Sequence, residues 1–415
     1  MRNEAEIIIR NNYSIGLVLE KYNDGDRSEE TVYLKEKIEE YTKAMNDKIG
    51  RLYKEVPKDS KETAMKWISE NAGDELAPYI RMIYLGTYKP EDVLKCNWNR
   101  YKTLKDIDIN ITEIDYAVKL ENWIQEWESE AKRINKALGN TSLKIFESHA
   151  HYNLSLFDEV YPKLLEIMHS VGRIDKIIIP AVEYATNKQM KKLFDSPGYD
   201  YIFYSFGSHP KYLWKEEDEW TDARWEELRS LLNSDPKCVA VGEAGLDYSV
   251  DVLDDHNRNM QKEFFSRFIK EANAVGLPVI MHIRPADFDN NCPYDADKDA
   301  IEIIKNNPIV NGAVAHCFGG NYDTVKSYMN VGVKYFGIGG RITYGEKGLT
   351  EAVKKMPEES ILLETDAPYI KLNGDPKPNT SLALFDIAKK IAEIRGCSME
   401  HIIETSYVNG LRLFL

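Results

Sequence analysis

No CxxC pair and no zinc-finger spacing occurs among the five cysteines, Cys96, Cys238, Cys292, Cys317 and Cys397, and their number is odd. That pattern argues against a disulfide framework and against a thiolate metal site, so free thiols are expected. The N-terminal residues lack an uninterrupted apolar run, because Arg2, Glu4, Glu6 and Arg10 break the stretch up to Leu19. Neither a signal-peptide core nor a membrane span is expected there, and the expected location is cytoplasmic. Glycine and proline are sparse, 24 and 16 in 415 residues, and no internal repeat or low-complexity tract is visible, which excludes a fibrous or disordered chain. A basic stripe is missing as well. The net charge is −14, and residues 1–140 hold 23 Lys and Arg against 27 Asp and Glu. The remainder carries the larger part of the negative charge. Bulk counterion release therefore cannot drive binding to a polyanion, and an anionic substrate has to be attracted by metal ions and local donors.

What is present divides the chain in two. Ala117, Leu120, Ile124, Trp127, Ala131, Ile134 and Leu138 recur at spacings of three and four, with Thr112 and Asp115 placed as a variant capping box. Ile38, Tyr41, Met45, Ile49 and Leu52 predict a second amphipathic helix, and the apolar stretch from Trp67 to Leu85 a third. The helical pattern stops at Gly139-Asn140-Thr141, so residues 1–140 are read as an all-α N-terminal extension and 141–415 as a separate unit. The aromatic residues Tyr41, Trp67, Trp123 and Trp127 at apolar positions are expected to build the extension's own core or its contact with the second unit. The sharper reading is a surface for a protein partner, since the near-balanced charge does not favour nucleic acid.

After residue 142 short apolar runs alternate with helical stretches, as βα units of a parallel sheet do. Eight runs are visible: 143–146, 176–179, 201–204, 239–242, 278–281, 312–315, 335–338 and 361–363, with helices such as Gln261 to Val275 between them. Eight alternations in about 270 residues fit a closed (β/α)8 barrel, and no GxGxxG follows the first strand to suggest a dinucleotide site.

A barrel places its chemistry at the C-terminal ends of its strands. His149 and His151 follow the first run, His209 the third, Glu243 the fourth, His282 the fifth, His316 the sixth and Asp366 the eighth, so five of the eight histidines occupy such positions. One histidine after a strand is usually structural; the joint placement overturns that reading. Residues two apart on a strand share a face, so His149-Ala150-His151 turns two imidazoles to one side. Imidazole with carboxylate and no thiolate suits magnesium, manganese or zinc, and the ligand count suffices for two divalent cations bridged by one carboxylate, an arrangement for phosphodiester hydrolysis. Arg284 follows His282 by two and is placed either for a phosphate oxygen or for a barrel carboxylate. Cys317 is read as a packed thiol, since a metal-activated water needs no thiolate. Asp247 and Glu364 are expected to orient ligands or close salt bridges behind them.

The stretches Phe146-Glu147-Ser148-His149-Ala150-His151, Val241-Gly242-Glu243-Ala244-Gly245-Leu246-Asp247-Tyr248, Leu277 to Arg284, Ala315-His316-Cys317-Phe318-Gly319-Gly320 and Leu363-Glu364-Thr365-Asp366-Ala367-Pro368-Tyr369 resemble, in order and spacing, the TatD-type DNases, metal-dependent hydrolases of the amidohydrolase-like superfamily. The resemblance covers residues 143–415 and says nothing of the extension. It implies that His149, His151 and Asp366 hold one metal and His282 and His316 the other, with Glu243 bridging. Asp366 would accept a proton from the attacking water, so Glu243 and Asp366 are the catalytic carboxylates, and His209 would lie near the substrate phosphate, the alternative being a histidine that rigidifies the loop before Pro210; Arg284, from its spacing alone, is the second candidate substrate contact. The implied activity is a deoxyribonuclease, an exonuclease on single strands or ends. Departures from the family pattern are Glu147 in place of aspartate, Pro285, and Gly319-Gly320-Asn321 where serine is common. Two other classes stay open: a metallohydrolase of the same superfamily acting on an ester or amide, such as misacylated tRNA or a lactone, and a barrel scaffold whose extension binds a protein partner.

Overall fold

The computed structural model describes residues 29–72, 80–81, 83–85, 111–139, 141–153, 161–171, 173–249, 255–286, 294–375 and 377–415. Parts of the sequence reading fall outside these: the first 28 residues, the middle of the stretch from Trp67 to Leu85, and the side chains of Tyr41, Met45, Thr112, Asp115, Ala117 and Leu120. The chain forms two compact units, residues 2–122 and residues 123–415.

In the first unit, α1 (Glu29–Glu55) and α2 (Lys61–Asn71) are separated by a short turn. Ser60 starts α2 as its N-cap and accepts a hydrogen bond from the Thr63 amide at 3.1 Å, satisfying one of the donors a helix start leaves open. Ile49, Val56, Ala64, Ile68, Ala72, Ile80 and Ile83 make one buried cluster, with Leu52, Tyr53, Trp67 and Tyr84 packed against it. Trp67 therefore serves the unit's own core, as expected of it.

The division between the units falls inside α3 (Ile111–Leu138). From Trp123 onward this helix packs within the second unit, where Trp127, Ala131 and Ile134 are buried. The helix ends where the sequence break lies, at Gly139, whose φ of 57° is the left-handed conformation that glycine adopts without strain after a helix. Hydrogen bonds from Asn135 Nδ2 to the Ser170 carbonyl (2.9 Å) and from Arg173 Nη2 to the Gly139 carbonyl (2.9 Å) fasten it.

The rest is an α/β barrel. In chain order the elements are β1 (Ile145–Glu147), α4 (Tyr161–Ser170), β2 (Ile174–Pro180), α5 (Tyr184–Phe194), β3 (Ile202–Phe206), the short α6 (Leu213–Glu216), α7 (Asp222–Ser234), β4 (Cys238–Asp247), α8 (Asp255–Val275) and β5 (Val279–Arg284). They continue with α9 (Ala296–Asn306), β6 (Ala313–Ala315), α10 (Tyr322–Asn330), β7 (Tyr335–Ile338), α11 (Lys347–Lys355), β8 (Ile361–Leu363), α12 (Leu384–Arg395) and α13 (Met399–Phe414). The strands pair in parallel in sequence order from β1 to β8. Closure comes from the residues after β1 and β8: Ser148 N donates to Leu363 O (3.1 Å), Asp366 N to His149 O (2.9 Å) and His151 N to Ala367 O (2.7 Å). The last ladder thus runs through the segments that carry His149, His151 and Asp366.

A strand overlaps each predicted apolar run, with β1 starting at Ile145 and not at Leu143. β4 is longer than its run because Gly245, Leu246 and Asp247 keep pairing with His282, Ile283 and Arg284 of β5. Ile280, Val314 and Leu362 lie two residues before His282, His316 and Glu364, and with Phe146, Ile178 and Ala240 they form a buried cluster floored by Leu413 and Phe414 of α13. Among the described residues no helix is long and apolar enough to cross a membrane.

Two substitutions test this packing. Phe336, fully buried with its ring centroid 4.9 Å from that of Phe318, should cost about 3–5 kcal/mol when replaced by alanine, measured by urea unfolding; Val310→Ala, at a 74% exposed position, should stay within about 0.5 kcal/mol. At Gly245, where φ is 155°, an added Cβ would stand 2.0 Å from the His282 carbonyl oxygen. Gly245→Ala should therefore destabilise by at least the overpacking cost of about 1–3 kcal/mol, and an unchanged urea midpoint would contradict this geometry.

Candidate metal centre

The end of the barrel at which the strands finish gathers six of the predicted side chains around one carboxylate. Glu243 is 1% exposed, and neither of its oxygens receives a hydrogen bond. Its Oε1 lies 3.0 Å from His316 Nε2, 3.5 Å from His282 Nδ1 and 3.6 Å from His149 Nε2, while Oε2 lies 3.6 Å from His151 Nε2. Asp366 adds Oδ1 at 3.2 Å from His151 Nε2 and 3.6 Å from His149 Nε2, and that oxygen too is buried without a hydrogen bond. Two of the nitrogen pairs are close: His149 and His151 Nε2 at 3.2 Å, and His282 Nδ1 and His316 Nε2 at 3.0 Å.

Among the described residues three sets of ligand atoms lie mutually within 4.8 Å: His149, His151 and Asp366; His149, His316 and Glu364; and His209, Glu243 and His282. The first coincides with a set the sequence suggested. The third brings in His209, whose Nε2 is 3.1 Å from His282 Nδ1 and whose Nδ1 accepts from the Lys211 amide at 3.0 Å. Arg284 is placed differently: it is exposed at the end of β5, where its carbonyl accepts from Tyr248 N at 2.9 Å.

Burial and mutual charge set the protonation states. Burial, with His316 adding to it, holds His149 well below the usual imidazole range, and burial next to His282 pushes His209 down to about 3. Burial also opposes the charged form of Glu243, but His149, His151 and His209 outweigh it and hold the carboxylate well below its ordinary value. For His282, burial is overcome by Asp247 and Glu243, and its value rises to about 9. Asp247 Oδ2 stands 3.4 Å from His282 Nε2, on the far side of the ring from Glu243, and takes the Ser249 amide (3.0 Å) and hydroxyl (2.6 Å) on its other oxygen.

A further layer lies behind these groups. Glu147, fully buried, accepts from Thr365 N (2.8 Å) and Thr365 Oγ1 (2.7 Å), so the segments that carry His149 and Asp366 share one carboxylate; burial raises it to about 7 in spite of those bonds. Glu364 accepts the Cys317 amide, and burial together with Asp366 raises it well above the normal carboxyl range. The Gly337 position leaves room for it, since a Cβ there would meet Glu364 Oε2 at 1.9 Å. Cys317 is held as a neutral thiol by burial and by Asp366, which fits a packed group and not a nucleophile. Sequence reasoning did not pick out Thr365 or Tyr369, whose ring packs edge-on to His151 with centroids 5.6 Å apart; both lie inside the Glu364-Thr365-Asp366-Ala367-Pro368-Tyr369 run, and only their neighbours drew attention.

The donor set suits divalent cations. Buried carboxylate oxygens without hydrogen bonds are costly unless something positive meets them, and imidazole with carboxylate ligands is the set used by borderline to hard divalent metals.

Comparison with known proteins agrees with the geometry. The family model described as TatD related DNase matches residues 146–415. The uncharacterized metal-dependent hydrolase YabD of Bacillus subtilis is 29% identical over 275 residues, which are 65% of this chain and 98% of that one. The 3'-5' ssDNA/RNA exonuclease TatD of Erwinia tasmaniensis is 31% identical over 224 residues, 52% of this chain and 79% of that one. The crystal structure of YjjV, a TatD homolog from Escherichia coli, superposes with a TM-score of 0.55 at 26% identity, covering 65% of this chain and 97% of its own. A barrel closed through its histidine-bearing segments, a buried carboxylate ringed by imidazoles, and a family match over the whole barrel together place this chain in the TatD related DNase family of metal-dependent hydrolases.

Proposed function

We propose that the chain hydrolyses phosphodiester bonds of nucleic acid, DNA first, acting on single strands or ends, with two divalent cations. Magnesium, manganese or zinc suits the ligands. His149, His151 and Asp366 would hold one cation, His282 and His316 the other, and Glu243 would lie between them. The observation that carries this reading is Glu243 itself: it is fully buried, its two oxygens are unbonded, and four imidazoles from β1, β5 and β6 face it within 3.0–3.6 Å. The exonuclease named among the relatives supports the substrate class.

Bound cations would lower the pKa of water from about 15.7 towards 7 and polarise a phosphoryl oxygen. The protein's own groups divide the remaining work. Asp366 Oδ1 accepts the proton of the attacking water. Asp247 fixes His282 by standing at its second nitrogen, and Glu147 ties Thr365 and hence Asp366 to the β1 end. His209, beside His282, and Arg284, exposed at the end of β5, would meet the substrate phosphate.

Metal-stripped protein refilled separately with magnesium, manganese or zinc should cut end-labelled single-stranded DNA, and Glu243→Gln and Asp366→Asn should each lose about 10²-fold or more of that rate. Stoichiometric metal uptake with DNA and RNA left intact, and turnover of an aminoacyl ester instead, would reject the nuclease reading. For the support of His282, Asp247→Asn should weaken metal binding by about 10–100-fold in calorimetric titration while the far-ultraviolet dichroism stays that of the wild type.

A further inference from the structure

The rim formed after β6, β7 and β8 carries a guanidinium that the reading above does not use. Arg341 lies in the short turn of 3-10 helix, Gly340–Tyr344, that follows β7. Glu346 grips one edge of it, taking Nε at 3.2 Å and Nη2 at 2.8 Å. The other edge occupies the space a side chain would fill at Gly319, where a Cβ would stand 2.1 Å from Nη1 and 2.4 Å from Cζ. Gly319 is three residues past His316, so the guanidinium sits directly over the turn that leaves the metal centre. Cys317, in the same turn, lies within electrostatic range of Asp366 and Glu364 and also of Arg341 and Arg284. A guanidinium has five N–H donors, and Glu346 uses two. Among the described residues the guanidinium bonds only to Glu346, through Nε and Nη2, and the side chain is 36% exposed, so the N–H groups of Nη1 remain as donors.

Tyr344 ends the same turn. Its hydroxyl donates to the Lys371 carbonyl at 2.8 Å, which anchors the ring at one end, yet the residue is 44% exposed. Thr343 Oγ1 bridges the Gly340 carbonyl (2.7 Å) and the Asn373 amide (2.8 Å), which locks the turn to the segment after β8. A fixed guanidinium and an exposed, fixed aromatic ring three residues apart provide what an unpaired nucleotide needs: a fork for phosphate and a face for a base.

We propose that Arg341 and Tyr344 form a nucleotide subsite, with Nη1 of Arg341 receiving a backbone phosphate and Tyr344 stacking the adjoining unpaired base; this rests on the nucleic-acid reading above. Because a base must leave its duplex stack to lie on the ring, the subsite selects single strands.

The test is fluorescence anisotropy of a short fluorescein-labelled oligothymidylate with full-length, metal-free protein in EDTA, so that binding is read without cleavage. Arg341→Gln and Tyr344→Leu should each weaken binding about tenfold, and Tyr344→Phe, which keeps the ring, should bring it back to within about twofold of wild type. On an abasic strand of equal length the Arg341→Gln loss should persist and the Tyr344→Leu loss should vanish, a difference that a merely structural role would not produce. Should Arg341→Gln fail to fold, the exposed ring at Tyr344 carries the test. Absence of single-strand binding by wild type, unchanged binding in both variants, or an equal Tyr344→Leu loss on the abasic strand would overturn the subsite. Cleavage is judged apart: protein that discriminates in EDTA but cuts no strand when loaded with metal keeps the subsite and loses the phosphodiesterase reading, while cleavage with unchanged variant binding does the reverse.

Discussion

A carboxylate taken out of water and left without a hydrogen bond is among the most expensive groups a protein can bury. Glu243 is such a group, and the barrel's site is arranged around it. Imidazoles from three other strands converge on its two oxygens, and each of those rings lies where a strand gives out. The convergence needs a closed barrel, because β1 and β5 stand on opposite sides of an eight-stranded ring and could not both face β4 in an open sheet. Closure in turn is made by the residues that carry the chemistry: the ladder from His149 and His151 to Asp366 and Ala367 is both the last seam of the barrel and one flank of the site. Loss of the seam would disperse the ligands, so fold and site are not separable here.

The groups behind the centre follow from the same constraint. Rings and carboxylates held without solvent need partners that fix their rotation, and the structure supplies Asp247 behind His282 and the Glu147 to Thr365 pair between β1 and the end of β8. The glutamate at position 147, a departure from the family's usual aspartate, still spans this gap, reaching both the amide and the hydroxyl of Thr365. Glycine serves the opposite need. At Gly245 and Gly337 a side chain would strike His282 and Glu364, so the close approach of β4 to β5 and of β7 to Glu364 depends on its absence.

Much of this was legible in the sequence because parallel strands buried on both faces read as short apolar runs, and because five histidines at four strand ends cannot be a local accident. What the sequence hid has physical reasons too. β4 reads as ending at Gly242 since Gly245 and Asp247 look like turn residues, yet pairing with β5 carries the strand through Asp247. Helical periodicity reports where α3 ends, at Gly139, but not that its second half packs with the barrel from Trp123 onward, because a spacing pattern shows an apolar face without showing what covers it. His209 carries no local mark of its distance from His282, 73 residues away. The fit of Arg341 into the space above Gly319 leaves no trace in either segment alone.

The charge of the chain gives these local features their weight. With a net charge of −14 the molecule as a whole repels a polyanion, and screening limits that repulsion to about 8–10 Å at ordinary salt. Attraction has to be concentrated where it acts: cations held by the imidazole and carboxylate set, and guanidinium groups seated at the rim. An arrangement of this kind rewards a substrate that threads a few nucleotides into one place and gives little to a long duplex lying across an acidic surface. The proposed preference for ends and single strands then follows from electrostatics and from stacking together. Neither the proposed metal centre nor the proposed rim subsite would impose it alone, since the first would recognise only a phosphodiester and the second only a nucleotide freed from its neighbour.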